Sequence, residues 1–487
     1  MCIKYYNEKD IKNLTIDNID YQITDDYNND FLEVEFQVTN GCNYKCSYCY
    51  GQDKLSDTQF TPIEKLKFII DQIFSISKNT YSITLLGGEI TFVPELFELL
   101  QYIDSFNKNV KVVILTNGSK PIEYFEKLLT SFNMTININI SIHLEYANFE
   151  HIKELIELFN KHKKYDNHIV LMPHPELKDK FKYFFDNLLE LRKHLYFTFM
   201  ITEIVEPPDF CNVDKRYTNE YFQLIDQCRT KWNNVIYEHS IDIKDKQYFP
   251  TTYSIINGEK IYIDFSLALR YGLKKFKGFY CCKGIDMLHI YPDGNYSGTA
   301  CYIKSELHNI YDGIDLLELS KPIICPFENC GCRADDLHPK FKTYNEAEKY
   351  VNNYIKNNIY HIIKNIKNYI NNIDTNNLDN NIIYNKLINN LSIIEKITLN
   401  DNINNLEINI NSINNNMNNL EEKINSIINL LAWWIPIKKW RDNFRDKFTR
   451  PDQTRPDQTR PDHELICQDY IYFYNNSKYK KLQPMLQ

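Results

Sequence analysis

Cys42-Asn-Tyr-Lys-Cys46-Ser-Tyr-Cys49 is a C-x3-C-x2-C run, and it follows directly on Phe31–Thr39, where apolar and polar residues alternate as in a strand. Three thiolates this close on one loop can hold three irons of a [4Fe–4S] cube and leave the fourth iron open to a substrate or cosubstrate. Cysteine runs also make zinc sites, but those favour paired C-x2-C units that supply four ligands. This loop has three, with an x3 gap, so an iron–sulfur cluster is the expectation for Cys42, Cys46 and Cys49.

The chain around this loop has 487 residues, enough for two or three domains, and 43% hydrophobic residues, enough for at least one sizeable core. Thirteen cysteines would suit a disulfide-rich secreted protein, yet Met1–Asp10 contains no apolar signal core. Reduced thiols used for metal, in a cytoplasmic protein, are the better expectation. No run of about 18 apolar residues offers a membrane span. A formal charge of −8 gives no argument for nucleic-acid binding.

Downstream of the loop, short apolar runs alternate with helical patterns as far as residue 205, the signature of a parallel α/β sheet. Six strands are predicted: Glu33–Thr39, Ser82–Leu86, Lys111–Thr116, Thr135–Ile142, His168–Met172 and Phe197–Glu203. Thr61-Pro62-Ile63-Glu64 reads as a capping box with proline at the first helical position, ahead of Leu66, Ile69, Ile70 and Ile73 at helical spacing. Six strand–helix units predict a partial (βα)6 TIM-type barrel with ligands at the carboxyl ends of the strands.

The expected order along the chain is an N-terminal extension (1–30), the α/β core (31–205), a connector without a clean period (206–280) and a small cysteine-rich domain (281–343). Within the last, Pro292-Asp-Gly marks a hairpin turn. An Asn- and Ile-rich helical region (344–432) follows, in which Ile403, Leu406, Ile410, Ile413, Met417, Leu420, Ile424, Ile427 and Leu431 make an a/d seam. That seam predicts an α-helical coiled coil and a homo-oligomer. Residues 433–448 place Ile437, Trp440, Phe444 and Phe448 on one helical face among basic residues, which suits either a membrane interface or packing on another domain. A Thr-Arg-Pro-Asp-Gln repeat linker and a tail (449–487) end the order.

With these residues laid out, the region from about 31 to 205 resembles a radical S-adenosylmethionine (radical SAM) enzyme. The cysteine loop after the first strand is similar to that superfamily's cluster motif, and Gly87-Gly88-Glu89 at the end of the second strand is similar to its glycine–glycine–glutamate motif. The resemblance implies a [4Fe–4S] cluster on Cys42, Cys46 and Cys49 whose open iron chelates S-adenosylmethionine. One-electron cleavage then yields a 5′-deoxyadenosyl radical that abstracts hydrogen from substrate. It also implies a cosubstrate site lined by Tyr48, Gly87, Gly88, Glu89, Thr116, Asn117, Ser141 and His143, in which the glycines admit the methionine part and Glu89 accepts from its ammonium. Met172, Thr202 and Glu203 would face the same cavity. Asn117-Gly118 as a plain turn and His143 as a strand-end histidine stand as the alternatives.

A second cysteine set, Cys281, Cys282, Cys301, Cys325, Cys330 and Cys332, resembles the SPASM or twitch extension of many radical SAM enzymes. One auxiliary [4Fe–4S] cluster is expected, with Cys282 and Cys301 as the safer ligands and two of Cys325, Cys330 and Cys332 completing it; zinc is the alternative. The expected partners are a reductant such as flavodoxin or ferredoxin and a small-molecule, sugar or peptide substrate. The segment from Trp433 resembles a tail on some bacterial glycosyltransferases, which favours a sugar or surface-polysaccharide substrate and peripheral contact with the inner membrane face. Peptide maturation by oxidation, cross-linking or epimerisation is the alternative, though the roughly 30 residues before the first strand are too few for an independently stable leader-binding module. A non-enzymatic coiled-coil scaffold is a third reading, opposed by the intact Cys42, Cys46, Cys49 and Glu89.

Overall fold

In the computed structural model the described residues are 4–24, 31–49, 58–76, 78–163, 167–206, 212–234, 252–331 and 336–354. Cys332, the seam from Ile403, the segment 433–448 and the repeats lie outside them. The chain divides into two units, Met1–Val351 and Asn352–Gln487, and the first contains every element named below.

The N-terminal segment opens with β1 (Lys4–Tyr6), α1 (Glu8–Ile11) and β2 (Tyr21–Thr24). Six strand–helix units follow: β3 (Phe31–Thr39) and α2 (Ile63–Ser75), β4 (Thr80–Gly87) and α3 (Leu96–Ser105), β5 (Val110–Thr116) and α4 (Ile122–Thr130). The series continues with β6 (Thr135–His143) and α5 (Phe149–Lys161), β7 (His168–Met172) and α6 (Lys178–Leu191), β8 (Thr198–Ile201) and α7 (Asn219–Asn234). Each of these strands pairs in parallel with the next, so the fold is mixed α/β on a parallel sheet, in the sequential order expected of a (βα)6 partial barrel.

Side-chain alternation decides how this sheet is used. Leu32, Val34, Phe36 and Val38 of β3 and Ile136, Ile138, Ile140 and Ile142 of β6 are buried in the same apolar core as Leu66, Ile69, Ile70 and Ile73 of α2. The other face of the same strands carries Glu33, Glu35 and Gln37 on β3 and Asn137, Asn139, Ser141 and His143 on β6. A parallel sheet covered on both faces reads as continuous apolar runs. Here one face packs helices and the other is polar, which suits a cleft. Leu115, in the middle of this polar face on β5, is 37% exposed.

The connector resolves into α7, β9 (Thr252–Ile256), β10 (Glu259–Ile263) and α8 (Phe265–Arg270), and the cysteine-rich segment into β11 (Tyr280–Cys281), β12 (Met287–Ile290), β13 (Asn295–Ser297), β14 (His308–Asn309), α9 (Leu316–Ser320), β15 (Ile323–Ile324) and β16 (Lys340–Phe341). β12 pairs parallel to β3, and β13 and β14 continue the main sheet beyond it through the hairpin turn at Pro292-Asp-Gly294. A second sheet has the order β1-β10-β9-β2-β16-β11-β15. The segment read as an N-terminal extension therefore supplies two strands to it.

One local reading is corrected. Pro62, not Thr61, is the N-cap of α2, and no side chain caps that helix; the Thr61 hydroxyl instead donates to Pro292 O at 3.5 Å. Among the described residues no helix is long and apolar enough to cross a membrane.

Candidate functional site

The cysteine loop leaves β3 at Thr39 and runs against the end of β4. Gly88 N donates to Thr39 O and Glu89 N to Gly41 O, both at 2.9 Å. A Cβ on Gly88 would stand 2.3 Å from Gly41 O and 2.5 Å from Asn40 O; one on Gly87, whose φ is +156°, would stand 2.1 Å from Thr39 O. Both glycines are thus required by two backbones passing at contact, a role beyond room for a cosubstrate.

Cys46 is buried, Cys42 partly so and Cys49 exposed. Cys49 N donates to Cys46 O at 3.0 Å and Tyr44 N to Cys42 Sγ at 3.3 Å. Burial raises the thiols of Cys42 and Cys46, the latter to about 12, and the charge of Cys49 adds to the rise of both. A metal that replaces their protons relieves that repulsion. Among the described residues no three His, Cys, Asp or Glu side chains converge on a single-ion point.

Glu89, 1% exposed, joins the ends of β4 and β5. Its Oε1 accepts from Thr91 N (3.1 Å), Thr91 Oγ1 and Thr116 Oγ1 (2.6 Å each), and its Oε2 from Asn117 N (2.6 Å). The Asn117 side chain then donates to Asn43 Oδ1 at 2.9 Å, and Asn43 to Ser119 Oγ at 2.9 Å, so the β5 turn grips the cysteine loop. Glu89 and Thr116 therefore meet, with the carboxylate already held by four protein donors.

At the end of β6, Tyr48 OH and His143 Nδ1 are 2.6 Å apart. Burial lowers His143 to about 4, so the imidazole is neutral. Ser141 lies two residues back on the same face, half-buried. Further contacts, not evident from the sequence, pin the loop from the β6 and β7 ends. Ser47 N donates to Glu145 Oε2 at 2.9 Å, Ser47 Oγ lies 3.0 Å from His174 Nε2, and Tyr146 OH donates to Lys45 O at 2.9 Å while its ring stacks on Tyr44 at 4.5 Å. The only signal for them was position: each lies just past a predicted strand end.

Met172, Thr202 and Glu203 line a cavity that also reaches Tyr48 and Gly331. Beneath it Arg229 holds Glu203 through two hydrogen bonds of 2.9 and 2.7 Å, and Arg270 holds Asp226 through two of 2.9 and 2.6 Å.

In the second cysteine set, Cys282 is fully buried. It is 0% exposed, its thiol lies 3.7 Å from Ala347 O, and burial drives its pKa far above the usual thiol value. Its neighbour Cys281 opposes Ile323 across the β11–β15 pair, and two residues on Cys325 N donates to Phe279 O at 2.8 Å. Strand alternation therefore puts Cys281 and Cys325 on one face and Cys282 on the other. Gly284 N donates to Gly298 O at 2.9 Å, drawing the segment before Cys301 alongside. Cys330 is buried, and its N–H donates to Lys274 O at 2.8 Å.

Residues 36–174 match the model of the radical SAM superfamily. Among curated proteins, the antilisterial bacteriocin subtilosin biosynthesis protein AlbA of Bacillus subtilis (strain 168) is 33% identical over 125 residues, 25% of this chain and 27% of AlbA. GTP 3′,8-cyclase of Actinobacillus pleuropneumoniae serotype 3 (strain JL03) is 26% identical over 137 residues, 26% of this chain and 38% of the cyclase. The chain thus spans well under half the length of these relatives. Among solved structures, native anSMEcpe with bound AdoMet aligns over 66% of this chain and 96% of its own, with a TM-score of 0.41 and 17% identity.

Proposed function

We propose, from the premise that residues 36–174 are a radical SAM domain, that this chain is an enzyme that modifies a peptide by radical chemistry. The observation that carries the reading is the cysteine loop itself, whose start at Thr39 and Gly41 is held by backbone hydrogen bonds from Gly88 and Glu89 where β3 and β4 end. Cys42, Cys46 and Cys49 hold the [4Fe–4S] cluster. When bound with S-adenosylmethionine and reduced by a flavodoxin or ferredoxin, that cluster supplies the 5′-deoxyadenosyl radical for hydrogen abstraction.

The chain's own residues position and exclude water. Glu89, Thr116 and Asn117 fix the strand ends around the cosubstrate, and Gly87 and Gly88 let the loop close on them. Tyr48, oriented by the neutral His143, and Ser141 line the polar wall. Cys281, Cys301, Cys325 and Cys330 are proposed to hold one auxiliary [4Fe–4S] cluster, with Cys281 in place of Cys282.

A peptide is preferred over a sugar because AlbA, 33% identical over 125 residues, serves bacteriocin biosynthesis. The arginines beneath the cavity, Arg229 and Arg270, are already paired with acids, which disfavours a nucleotide whose phosphates would need them. The sugar reading rested on the segment from Trp433, outside the described residues. The test is to co-express the chain with short peptides encoded beside its gene and weigh them. A mass change that disappears in the Cys42, Cys46 and Cys49 triple alanine variant supports the reading; unchanged peptides together with an altered sugar nucleotide overturn it.

A further inference from the structure

Two buried lysines flank the second cysteine set. Across one row of the second sheet, Cys281 of β11 stands opposite Lys340 of β16, and Lys340 stands opposite Gln22 of β2. Directly opposed residues share a face, with Cβ atoms about 4.5–5.5 Å apart. Lys340 is therefore the cross-strand neighbour of Cys281, and it is 1% exposed.

The second ammonium joins the same row. Lys274 Nζ donates to Gln22 Oε1 at 2.9 Å and to Asp336 Oδ1 at 2.6 Å, while Lys274 O accepts from Cys330 N. Asp336 also accepts from Thr252 Oγ1 at 2.9 Å. Burial opposes the charge of Asp336, yet Lys274 and then Lys340 hold the carboxyl below its usual value. The Lys340 ammonium donates to His338 O at 2.8 Å and has the Phe276 ring 5.3 Å away. Its charge reaches through the strand as well: burial and the charge of Cys281 raise the Cys282 thiol, and Lys340 opposes the rise.

An ammonium taken out of water is costly, and an apolar side chain of similar length would fill the same space without that cost. A neighbouring anion changes the balance. Four thiolates outweigh the positive charge of an iron–sulfur core, and reduction adds a further negative charge in surroundings that screen little. A fixed cation there stabilises the reduced form more than the oxidised one.

We propose that Lys340 is a positioning residue that sets the reduction potential of the auxiliary cluster, its buried ammonium opposite Cys281 favouring the reduced state and making the cluster a better electron acceptor. The proposal rests on the reading that Cys281, Cys301, Cys325 and Cys330 hold that cluster, and it adds what tunes it.

The test is an anaerobic redox titration of the reconstituted full-length Cys42, Cys46 and Cys49 triple alanine variant, in which the auxiliary cluster is the one expected to remain, read by electron paramagnetic resonance of the reduced form. At the potential where this parent is half reduced, adding Lys340→Met is expected to lower the ratio of reduced to oxidised cluster ten-fold or more, a shift of about 59 mV for a one-electron couple. Lys340→Gln, which keeps a donor for His338 O without the charge, is expected to do the same, and Lys340→Arg to stay within three-fold of the parent. Neutral variants within two-fold of the parent overturn the role of Lys340 and leave the cluster reading standing. Loss of iron from both neutral variants also overturns it, since a residue that only tunes the potential leaves the ligands in place. A parent that holds no iron overturns the auxiliary-cluster reading, and this role with it.

Discussion

At Gly88, one added carbon would collide with two carbonyl oxygens of the cysteine loop. Gly88→Ala is therefore expected to strip the radical cluster itself, lowering iron by about four per chain; retained iron with weakened S-adenosylmethionine binding would mean that the glycine serves only the cosubstrate. The motif was legible in the sequence, but this reason was not, because the colliding oxygens belong to Asn40 and Gly41, far upstream beyond another strand. Cys281 and Cys282 make the same point. Adjacent in sequence, they are indistinguishable by spacing, and strand alternation separates them. Cys281→Ala is expected to lose the auxiliary iron and Cys282→Ala to keep it, as measured by iron and sulfide per chain; the reverse pattern would restore Cys282 as the ligand.

The elements most legible in the sequence were those whose period is local. All six core strands fall within two residues of their predicted bounds, and the first five are each followed by a helix of clear apolar spacing. β9, β10, β11, β15 and β16 escaped, since strands of two to five residues carry little pattern and find partners across the chain, as Tyr21 of β2 does with Ile255. The polar face of β3 leads to a pH prediction. Glu33 is raised to about 8 by burial, with the charge of Glu35 adding to it, against hydrogen bonds from Ser82 and Thr84 and the charge of Lys111. Glu35 itself faces His289, 3.0 Å away. An acid whose folded pKa is raised favours the folded state while protonated, so that contribution is present at low pH and fades as pH rises from about 4.5 toward 8. Glu33→Gln is expected to match wild type in thermal stability near pH 4.5 and to exceed it by about 2–4 kcal/mol above pH 8. An advantage that does not grow with pH would contradict the burial of this carboxyl.

At the scale of the whole molecule, the polar face of the sheet, the cysteine loop and the described part of the second cysteine set lie within one compact unit, Met1–Val351. The a/d seam and the aromatic–basic segment lie outside the described residues, and their roles in oligomerisation and membrane contact are proposals from sequence. Deleting residues 400–448 is expected to leave cofactor loading intact while changing sedimentation or membrane partition; identical behaviour of both forms would remove those roles. The claim on which the rest depends is that the loop at Cys42, Cys46 and Cys49 generates a radical. The direct measurement is 5′-deoxyadenosine release by the anaerobically reconstituted chain with S-adenosylmethionine and dithionite. Release by the wild type, with none from the Cys42, Cys46 and Cys49 triple alanine variant, is the predicted result, and a wild-type chain that binds iron and sulfide but releases no 5′-deoxyadenosine would contradict it.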